Sequence, residues 1–214
     1  MRLVLLGPPG AGKGTQGHPL AERYGVPLIS TGDIFRTHLS RGTALGVQAK
    51  DYMERGELVP DDVVVWMVVG RLAEPDTENG FILDGFPRTL PQARALGEAL
   101  EERETPLSAV LNFNVDDEVL VKRLAARRIC GDCQRTYNLD LKPPQEEGIC
   151  DVCGGKLIQR SDDEEETVRR RLDVYHEEAG RLSDYFGEKG LLRKIDADGT
   201  VDEVLERAIE AAHT

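Results

Sequence analysis

An apolar run at the start of the chain breaks into a glycine-rich loop that carries one lysine. Arg2–Leu6 has the composition of a buried strand, and the loop follows from Gly7 to Thr15 with Lys13 near its end. Successive backbone N–H groups of such a loop point inward and bind phosphate oxygens, and the lysine adds a mobile positive charge. The dipole of a following helix would favour the same anion. This spacing favours a phosphate-binding loop over a glycine-rich turn that only joins a strand to a helix.

The loop departs from the general phosphate-binding pattern at one position. Gly14 follows the lysine where serine or threonine is usual, and the hydroxyl comes one residue later, at Thr15. Because that hydroxyl is the usual magnesium ligand of such loops, direct ligation of magnesium by the loop is less strongly predicted here.

Short runs rich in Val, Ile, Leu and Phe recur along the chain, with patterns of helical period between them. The predicted strands are Arg2–Leu6, Val26–Ile29, Phe81–Asp84, Ala109–Val115 and Leu191–Ile195. This alternation predicts a parallel sheet with helices on both faces and a ligand site beyond the carboxyl ends of the strands. Asp84, Asn114 and Asp196 would emerge there, and Asp84 ends its strand as a carboxylate that reaches magnesium through water.

Two segments interrupt the alternation and are predicted to be insertions. Residues 30–59, called the insertion below, carry two helical patterns broken near Arg41-Gly42-Thr43. Residues 127–164, called the lid below, hold the cysteines and many turn residues. The core is then expected to comprise residues 1–29, 60–126 and 165–214.

All four cysteines lie in the lid, as two Cys-x-x-Cys pairs separated by sixteen residues: Cys130, Cys133, Cys150 and Cys153. This spacing predicts a zinc site of four thiolates, which would be structural because no coordination position stays open. Disulfides or a redox dithiol are the alternatives, and a nucleic-acid zinc ribbon is disfavoured by the acidic residues nearby.

Composition limits the class of protein. The 214 residues suffice for one α/β core with small insertions, and 40% are hydrophobic and 31% charged. A net charge of −12 opposes non-specific binding to nucleic acid or an anionic membrane. No apolar stretch is long enough to span a bilayer, and the first strand is too short for a secretory signal, so we expect a cytoplasmic protein.

Taken in order, the motifs closely resemble those of the adenylate kinases, in their long-lid, zinc-bearing bacterial form. The resemblance runs nearly end to end. It rests on the loop, Ser30-Thr-Gly-Asp-Ile-Phe-Arg36, Asp84-Gly-Phe-Pro-Arg88, Gln92, Gln159-Arg160-Ser-Asp-Asp163 and the cysteine spacing. It implies a P-loop NTPase-like α/β fold, in which a five-stranded parallel sheet is flanked by helices, with a helical AMP-binding insertion and a zinc-containing lid. It also implies a monomer that catalyses magnesium-dependent phosphoryl transfer, ATP + AMP = 2 ADP, without nucleic acid or membrane as a partner.

The resemblance further implies roles for single residues. The ATP side would comprise Gly10, Ala11, Gly12, Lys13, Gly14, Thr15, Arg123, Arg127, Thr136, Tyr137 and Gly199. The AMP side would comprise Thr31, Arg36, Glu57, Leu58, Val59, Gly85, Phe86, Pro87, Arg88, Gln92, Arg160 and Arg171. The catalytic set would comprise Lys13, Arg88, Arg127, Arg160, Asp162, Asp163 and Arg171. Arginine suits phosphate because its planar fork binds two oxygens and stays charged.

Asp162 and Asp163 are expected to pair with lid or core arginines when the lid closes, as gating residues and not general bases. Local patterns give two more expectations. Ser161 and Glu164 are predicted to form the capping box of a helix. Trp66, on an apolar helical stretch, is predicted to lie in the core.

Two other functions remain open. A kinase for CMP, UMP or GMP could use the same scaffold, although Thr31, Gln92 and the long lid favour AMP. A nucleotide switch that uses the cysteine knuckle to dock a partner is disfavoured because a switch needs fewer arginines on the γ-phosphate.

Overall fold

The computed structural model describes residues 1–133 and 135–214. The strands are β1 Arg2–Leu6, β2 Leu28–Ser30, β3 Phe81–Asp84, β4 Ala109–Asn114, β5 Arg127–Cys130, β6 Thr136–Asn138, β7 Leu157–Ile158 and β8 Leu192–Asp196. The α-helices are α1 Lys13–Tyr24, α2 Thr31–Ser40, α3 Ala44–Glu54, α4 Asp61–Arg71, α5 Leu90–Glu102, α6 Asp117–Ala125, α7 Glu165–Glu188 and α8 Val201–Ala211. No helix in these two ranges is both long and apolar enough to cross a membrane.

Five strands form one parallel sheet in the order β2-β3-β1-β4-β8, which confirms the predicted fold class. Alternate residues of the central strand enter two separate cores: Val4 and Leu6 pack on one face of the sheet, Leu3 and Leu5 on the other. Because helices cover both faces, the inner strands β1, β3 and β4 are apolar and buried at most positions. The carboxyl ends of β1, β3 and β4 meet at one edge, where the glycine-rich loop begins.

The two interruptions of the alternation have different structures. The insertion consists mainly of α2 and α3, and the turn between them contains Arg41 and Gly42. The lid contains a small antiparallel sheet of three strands, in the order β6-β5-β7.

Two local expectations are wrong. Ser161–Asp163 form a 3-10 turn, and α7 begins at Glu165 after an N-cap residue, Glu164, whose side chain makes no capping bond. The capping box fails because the two aspartates of the turn are held by arginines of the cleft. Trp66 is 74% exposed, because α4 buries the opposite face through Val64, Met67 and Val68.

Candidate active site

A cleft of about 650 Å³ opens at the carboxyl edge of the parallel sheet. The glycine-rich loop, the insertion, the lid and the start of α8 all contribute to its walls. Apart from the cysteines, every residue predicted for the site lines this cleft except two, Phe86 and Asp163. Phe86 is fully buried in the apolar core, so only its backbone lies in the turn that follows β3.

The glycine-rich loop connects β1 directly to α1. Gly12 occupies the N-cap position of α1 with a φ of 91°, a left-handed conformation that glycine adopts without strain. Gly7 lies so close to β4 that an added Cβ would stand 2.6 Å from the carbonyl oxygen of Phe113. The loop therefore needs glycine both for its shape and for its contact with the sheet.

Lys13 folds back over this loop. Its Nζ donates to the carbonyl oxygens of Gly7 at 2.7 Å and Pro8 at 2.8 Å. Burial lowers the pKa of Lys13 to about 8; Asp84 opposes this shift, and Arg88, Arg171 and Arg127 add to it. The ammonium thus stands in a site that already holds excess positive charge.

Three arginines of the cleft also have lowered pKa values. Burial lowers the pKa of Arg160 to about 9 and of Arg171 to about 10, and in both cases repulsion from Arg127 contributes. Burial also lowers the pKa of Arg88, and nearby Arg36 repels it. The Nε atoms of Arg36, Arg123 and Arg160 are buried without a hydrogen-bond partner. A bound anion would stabilise such a group of buried cations.

The aspartates of the 3-10 turn hold part of this cluster in place. Asp163 is 1% exposed and accepts from both Nε and Nη2 of Arg127, with the Nε bond at 2.7 Å. It also accepts from Nη1 of Arg171 at 3.3 Å, and the same nitrogen lies 3.1 Å from the Asp162 carboxylate. Burial alone would raise the pKa of Asp162, but Arg171, Arg127 and Arg160 hold it below its usual value. These aspartates therefore already anchor arginines in this conformation.

The side of the cleft nearest the insertion is built on the turn after β3. Thr31 Oγ1 donates to the carbonyl oxygen of Gly85 at 2.9 Å, and Arg88 Nε donates to the same oxygen at 2.9 Å. The Gln92 side chain accepts from the backbone N–H of Arg88 at 2.8 Å. Glu57, Leu58 and Val59 come from the loop between α3 and α4.

The opposite side is built by α6, the lid and the turn before α8. Arg123 donates to the carbonyl oxygen of Ala197 at 3.3 Å and lies 3.7 Å from Asp198. Gly199, with a φ of 114°, forms the turn beside it. Thr136 and Tyr137 line the cleft from β6, but the Tyr137 hydroxyl lies 3.3 Å from Cys150 Sγ and accepts from the N–H of Asp151 at 2.8 Å.

Asp84 lies where β3 ends, directly beside the loop. A Cβ added to Gly14 would stand 3.5 Å from Oδ2 of Asp84. The Asp84 carboxylate therefore lies within van der Waals range of the position that follows the lysine.

The four cysteines converge in space, although the first and the last are twenty-three residues apart in the sequence. Their Sγ atoms all lie within 4.8 Å of one another, with Cys130 and Cys153 at 3.4 Å and Cys133 and Cys150 at 3.6 Å. A tetrahedral zinc ion with Zn–S bonds of about 2.3 Å requires sulfur–sulfur distances of about 3.8 Å. None of the four forms a disulfide. The donor set and its spacing fit a structural zinc ion.

Three acidic residues without a predicted role hold the predicted site residues in place. Asp33 pairs with Arg36 one helical turn away, and Asp198 approaches Arg123. The spacing of Asp33 and Arg36 on a helix could have revealed the first pair. The third, Asp61, contacts Gln92 across thirty-one residues, and no local pattern indicates it.

Comparison with known proteins agrees with this geometry. The sequence profile of the adenylate kinase family matches residues 5–191. The chain is 53% identical to the adenylate kinase of Streptomyces avermitilis over 212 residues, which cover 99% of this chain and 96% of that relative. It is 50% identical to the adenylate kinase of Carboxydothermus hydrogenoformans over 204 residues, or 95% of each chain. The chain belongs to the adenylate kinase family, the nucleoside monophosphate kinases that transfer a phosphoryl group between ATP and AMP to form two ADP.

Proposed function

We propose that the cleft holds the two nucleotides end to end, with the ATP phosphates on the glycine-rich loop and the AMP phosphate among the arginines beside the insertion. The observation that carries this proposal is the group of buried cations around Lys13 that line the cleft, Arg88, Arg160 and Arg171 among them. Burial lowers the pKa of each, so an anion bound among them would favour their charged forms. Nucleotide phosphates would restore the balance of charge.

In this arrangement the residues act by position and charge. An oxygen of the AMP phosphate attacks the γ-phosphorus of ATP, and the bond to the β–γ bridging oxygen breaks with its electron pair on ADP. Negative charge spreads over the transferring group, so fixed cations aimed at it stabilise the transition state. Lys13 and Arg127 would contact the ATP side, Arg36 the AMP phosphate, and Arg88, Arg160 and Arg171 the region where the phosphates meet.

The bases would be recognised at the two ends of the cleft. Arg123 would stack on the ATP base beside Gly199, with the backbone of Thr136 and Tyr137 covering it. Gln92 offers both a donor and an acceptor to the edge of the AMP base. Thr31, Gly85, Pro87 and the loop Glu57–Val59 would surround that base and its ribose.

Adenylate kinases use Mg²⁺ with ATP, and we assign its protein contact to Asp84, through water. When bound, the ion neutralises phosphate charge. The place of Asp84 beside the loop supports this assignment.

The lid would exclude water from the transferring phosphate, which otherwise would be hydrolysed. Zinc on Cys130, Cys133, Cys150 and Cys153 would hold it as a rigid body. Asp162 and Asp163, proposed above as gating residues, would act chiefly by positioning Arg127 and Arg171, since those ion pairs already exist here.

We further propose a monomeric, cytoplasmic enzyme of nucleotide biosynthesis that binds neither nucleic acid nor membrane. The acidic net charge and the unpaired cysteines support this proposal.

The test is product formation from magnesium-ATP with AMP, CMP, UMP or GMP as the acceptor. We expect ADP formation strongly selective for AMP, and an Arg88→Met variant with kcat/KM reduced at least about a hundredfold because a transition-state contact is lost. As a control, Arg181→Met changes an exposed arginine of α7 and should leave kcat/KM unchanged. Preference for another acceptor would overturn the roles of Thr31 and Gln92, and full activity of the Arg88 variant would overturn the role of that arginine.

A further inference from the structure

The side chain of Gln92 is 1% exposed and both ends of its amide are hydrogen-bonded. Its Nε2 donates to Oδ1 of Asp61 at 2.7 Å, and its Oε1 accepts from the backbone N–H of Arg88 at 2.8 Å. Gln92 also lines the cleft. Its amide is therefore held in place by the protein itself.

The two partners determine which way round the amide lies. An ionised carboxylate only accepts hydrogen bonds, so the amide nitrogen must face Asp61. A backbone N–H only donates, so the amide oxygen must face Arg88. Rotation of the amide by 180° would bring oxygen against oxygen on one side and N–H against N–H on the other. Asp61 thus removes an orientation that a free glutamine would sample.

The amide still has one free N–H and one free lone pair. The 6-amino group of adenine donates, and the adjacent ring nitrogen N1 accepts; in 6-oxopurines this order is reversed, with an accepting O6 and a donating N1–H. In the proposed arrangement the phosphate and ribose would anchor the nucleotide, so the base would reach the amide in one pose. An amide of fixed orientation then fits only one of the two orders.

We propose that Asp61 is a positioning residue that sets the preference of the acceptor site for 6-aminopurine over 6-oxopurine nucleotides. The inference rests on the proposed contact between Gln92 and the AMP base. Asp61 acts through Gln92 and needs no contact of its own with the nucleotide.

Asp61 is itself held by a second bond. Its Oδ2 accepts from Thr89 Oγ1 at 3.0 Å, and Thr89 is the N-cap residue of α5, where its hydroxyl accepts from the N–H of Gln92. Asp61 also lies in the first turn of α4, where a negative charge is favoured by the helix dipole. The carboxylate is thereby fixed between the two helices that form this end of the cleft.

The experiment measures kcat/KM for AMP and for inosine monophosphate, which differ at the purine 6-position, in wild type and in the isosteric variant Asp61→Asn. We expect the AMP/IMP ratio to fall about tenfold, the effect of losing one hydrogen bond to a charged group. An Asn side chain can donate as well as accept, so the rotated amide is no longer excluded on that side. Asp62→Asn is the matched control: it removes the same charge from the same helical turn, its side chain is exposed, and the ratio should stay at the wild-type value.

A purely structural role for Asp61 would lower both rates together and leave the ratio unchanged, which would overturn the inference. The variant Gln92→Leu tests the contact between Gln92 and the base separately from the positioning role of Asp61. A reduced ratio in Gln92→Leu with an unchanged ratio in Asp61→Asn would refute the positioning role alone. An unchanged ratio in Gln92→Leu would refute the base contact itself, and the inference with it.

Discussion

The basic residues of the cleft have pKa values that differ from their ordinary values. Burial lowers the pKa values of Lys13, Arg160 and Arg171, and repulsion between the cations of the cleft adds to the shift. A bound phosphate reverses the shift because it favours the charged form of each group. Binding and protonation are therefore linked.

Lys13 makes this linkage measurable. Its pKa in the free protein is about 8, below the ordinary value of 10.5, so the ammonium loses its proton as the pH rises through 8. Affinity for magnesium-free ATP should be full below pH 8 and fall up to about tenfold per pH unit above it, with proton uptake on binding. Calorimetry at pH 7.0–8.8 in buffers of different ionisation enthalpy measures both. Lys13→Met should bind more weakly and without uptake, Lys122→Met should match wild type, and pH-independent affinity in wild type would contradict the linkage.

Of the acidic residues that hold the arginines of the cleft, Asp163 is the one whose charge matters most for stability. In Asp163→Asn the buried Arg127 and Arg171 lose a partner, and we expect the free energy of unfolding to fall by about 3 kcal/mol. We also expect kcat to fall at least about tenfold, because both arginines move from their positions. Urea denaturation and steady-state kinetics measure these effects. The exposed pair of Arg169 and Glu165 is the control: Glu165→Gln should change stability by less than about 0.5 kcal/mol, and an equally small effect at Asp163 would be inconsistent with its anchoring role.

Among the elements, the lid has the smallest core. The described part of it buries one cluster, formed by Cys130, Tyr137, Cys150 and Leu157. Its strands are four, three and two residues long. So small a core and so short a sheet supply little stability, and metal ligation is the usual substitute.

Removal of the metal should therefore loosen the lid before the rest of the molecule. After chelation we expect faster amide hydrogen exchange in β5 and β6, unchanged exchange in β1 and β4, and a lower thermal stability of the lid. Turnover in the cold should largely persist, since the thiolates line no part of the cleft. Addition of zinc should restore the slow exchange. Loss of turnover with an intact fold, or simultaneous loosening of β1, would show that the metal does more than stabilise the lid.

Across the whole molecule, the cleft joins three parts of the chain that are far apart in sequence. The insertion contacts α7, where Glu57 pairs with Arg170 at 2.5 Å. The two ends of the lid meet where Arg127 pairs with Asp163, and Asp163 ties the lid to α7 through Arg171. Each nucleotide is expected to contact a different part, so each should stabilise a different part.

Hydrogen exchange with single ligands tests this division. AMP alone should slow exchange in α2 and in the loop after α3, and a non-hydrolysable ATP analogue should slow it in β5, β6 and the turn before α8. An analogue that links two adenosines through five phosphates should protect both regions, because it fills both halves of the cleft. The buried central strand β1 serves as the internal reference. Equal protection of the lid by AMP alone would contradict the assignment of the two halves.

Much of the architecture was predictable because it depends on local pattern. Apolar runs located the five strands to within two residues at their ends, since buried parallel strands are apolar on both faces. The spacing of Cys130, Cys133, Cys150 and Cys153 indicated their convergence, because paired Cys-x-x-Cys turns present both thiols on one side. Local pattern failed where tertiary contacts competed with it, at the capping box of Ser161 and at Trp66.

The sequence by itself determined the alternation of five strands with helices, the glycine-rich loop and the convergence of the four cysteines, because backbone preference and residue spacing encode them within short segments. The tertiary structure alone decided which polar side chains meet across long stretches of sequence. Asp163 lies thirty-six residues from Arg127, and Asp61 lies thirty-one from Gln92, yet these pairs orient the side chains that face the cleft. Such pairs depend on how whole elements pack, since a side chain finds its partner only after the fold has brought distant elements together.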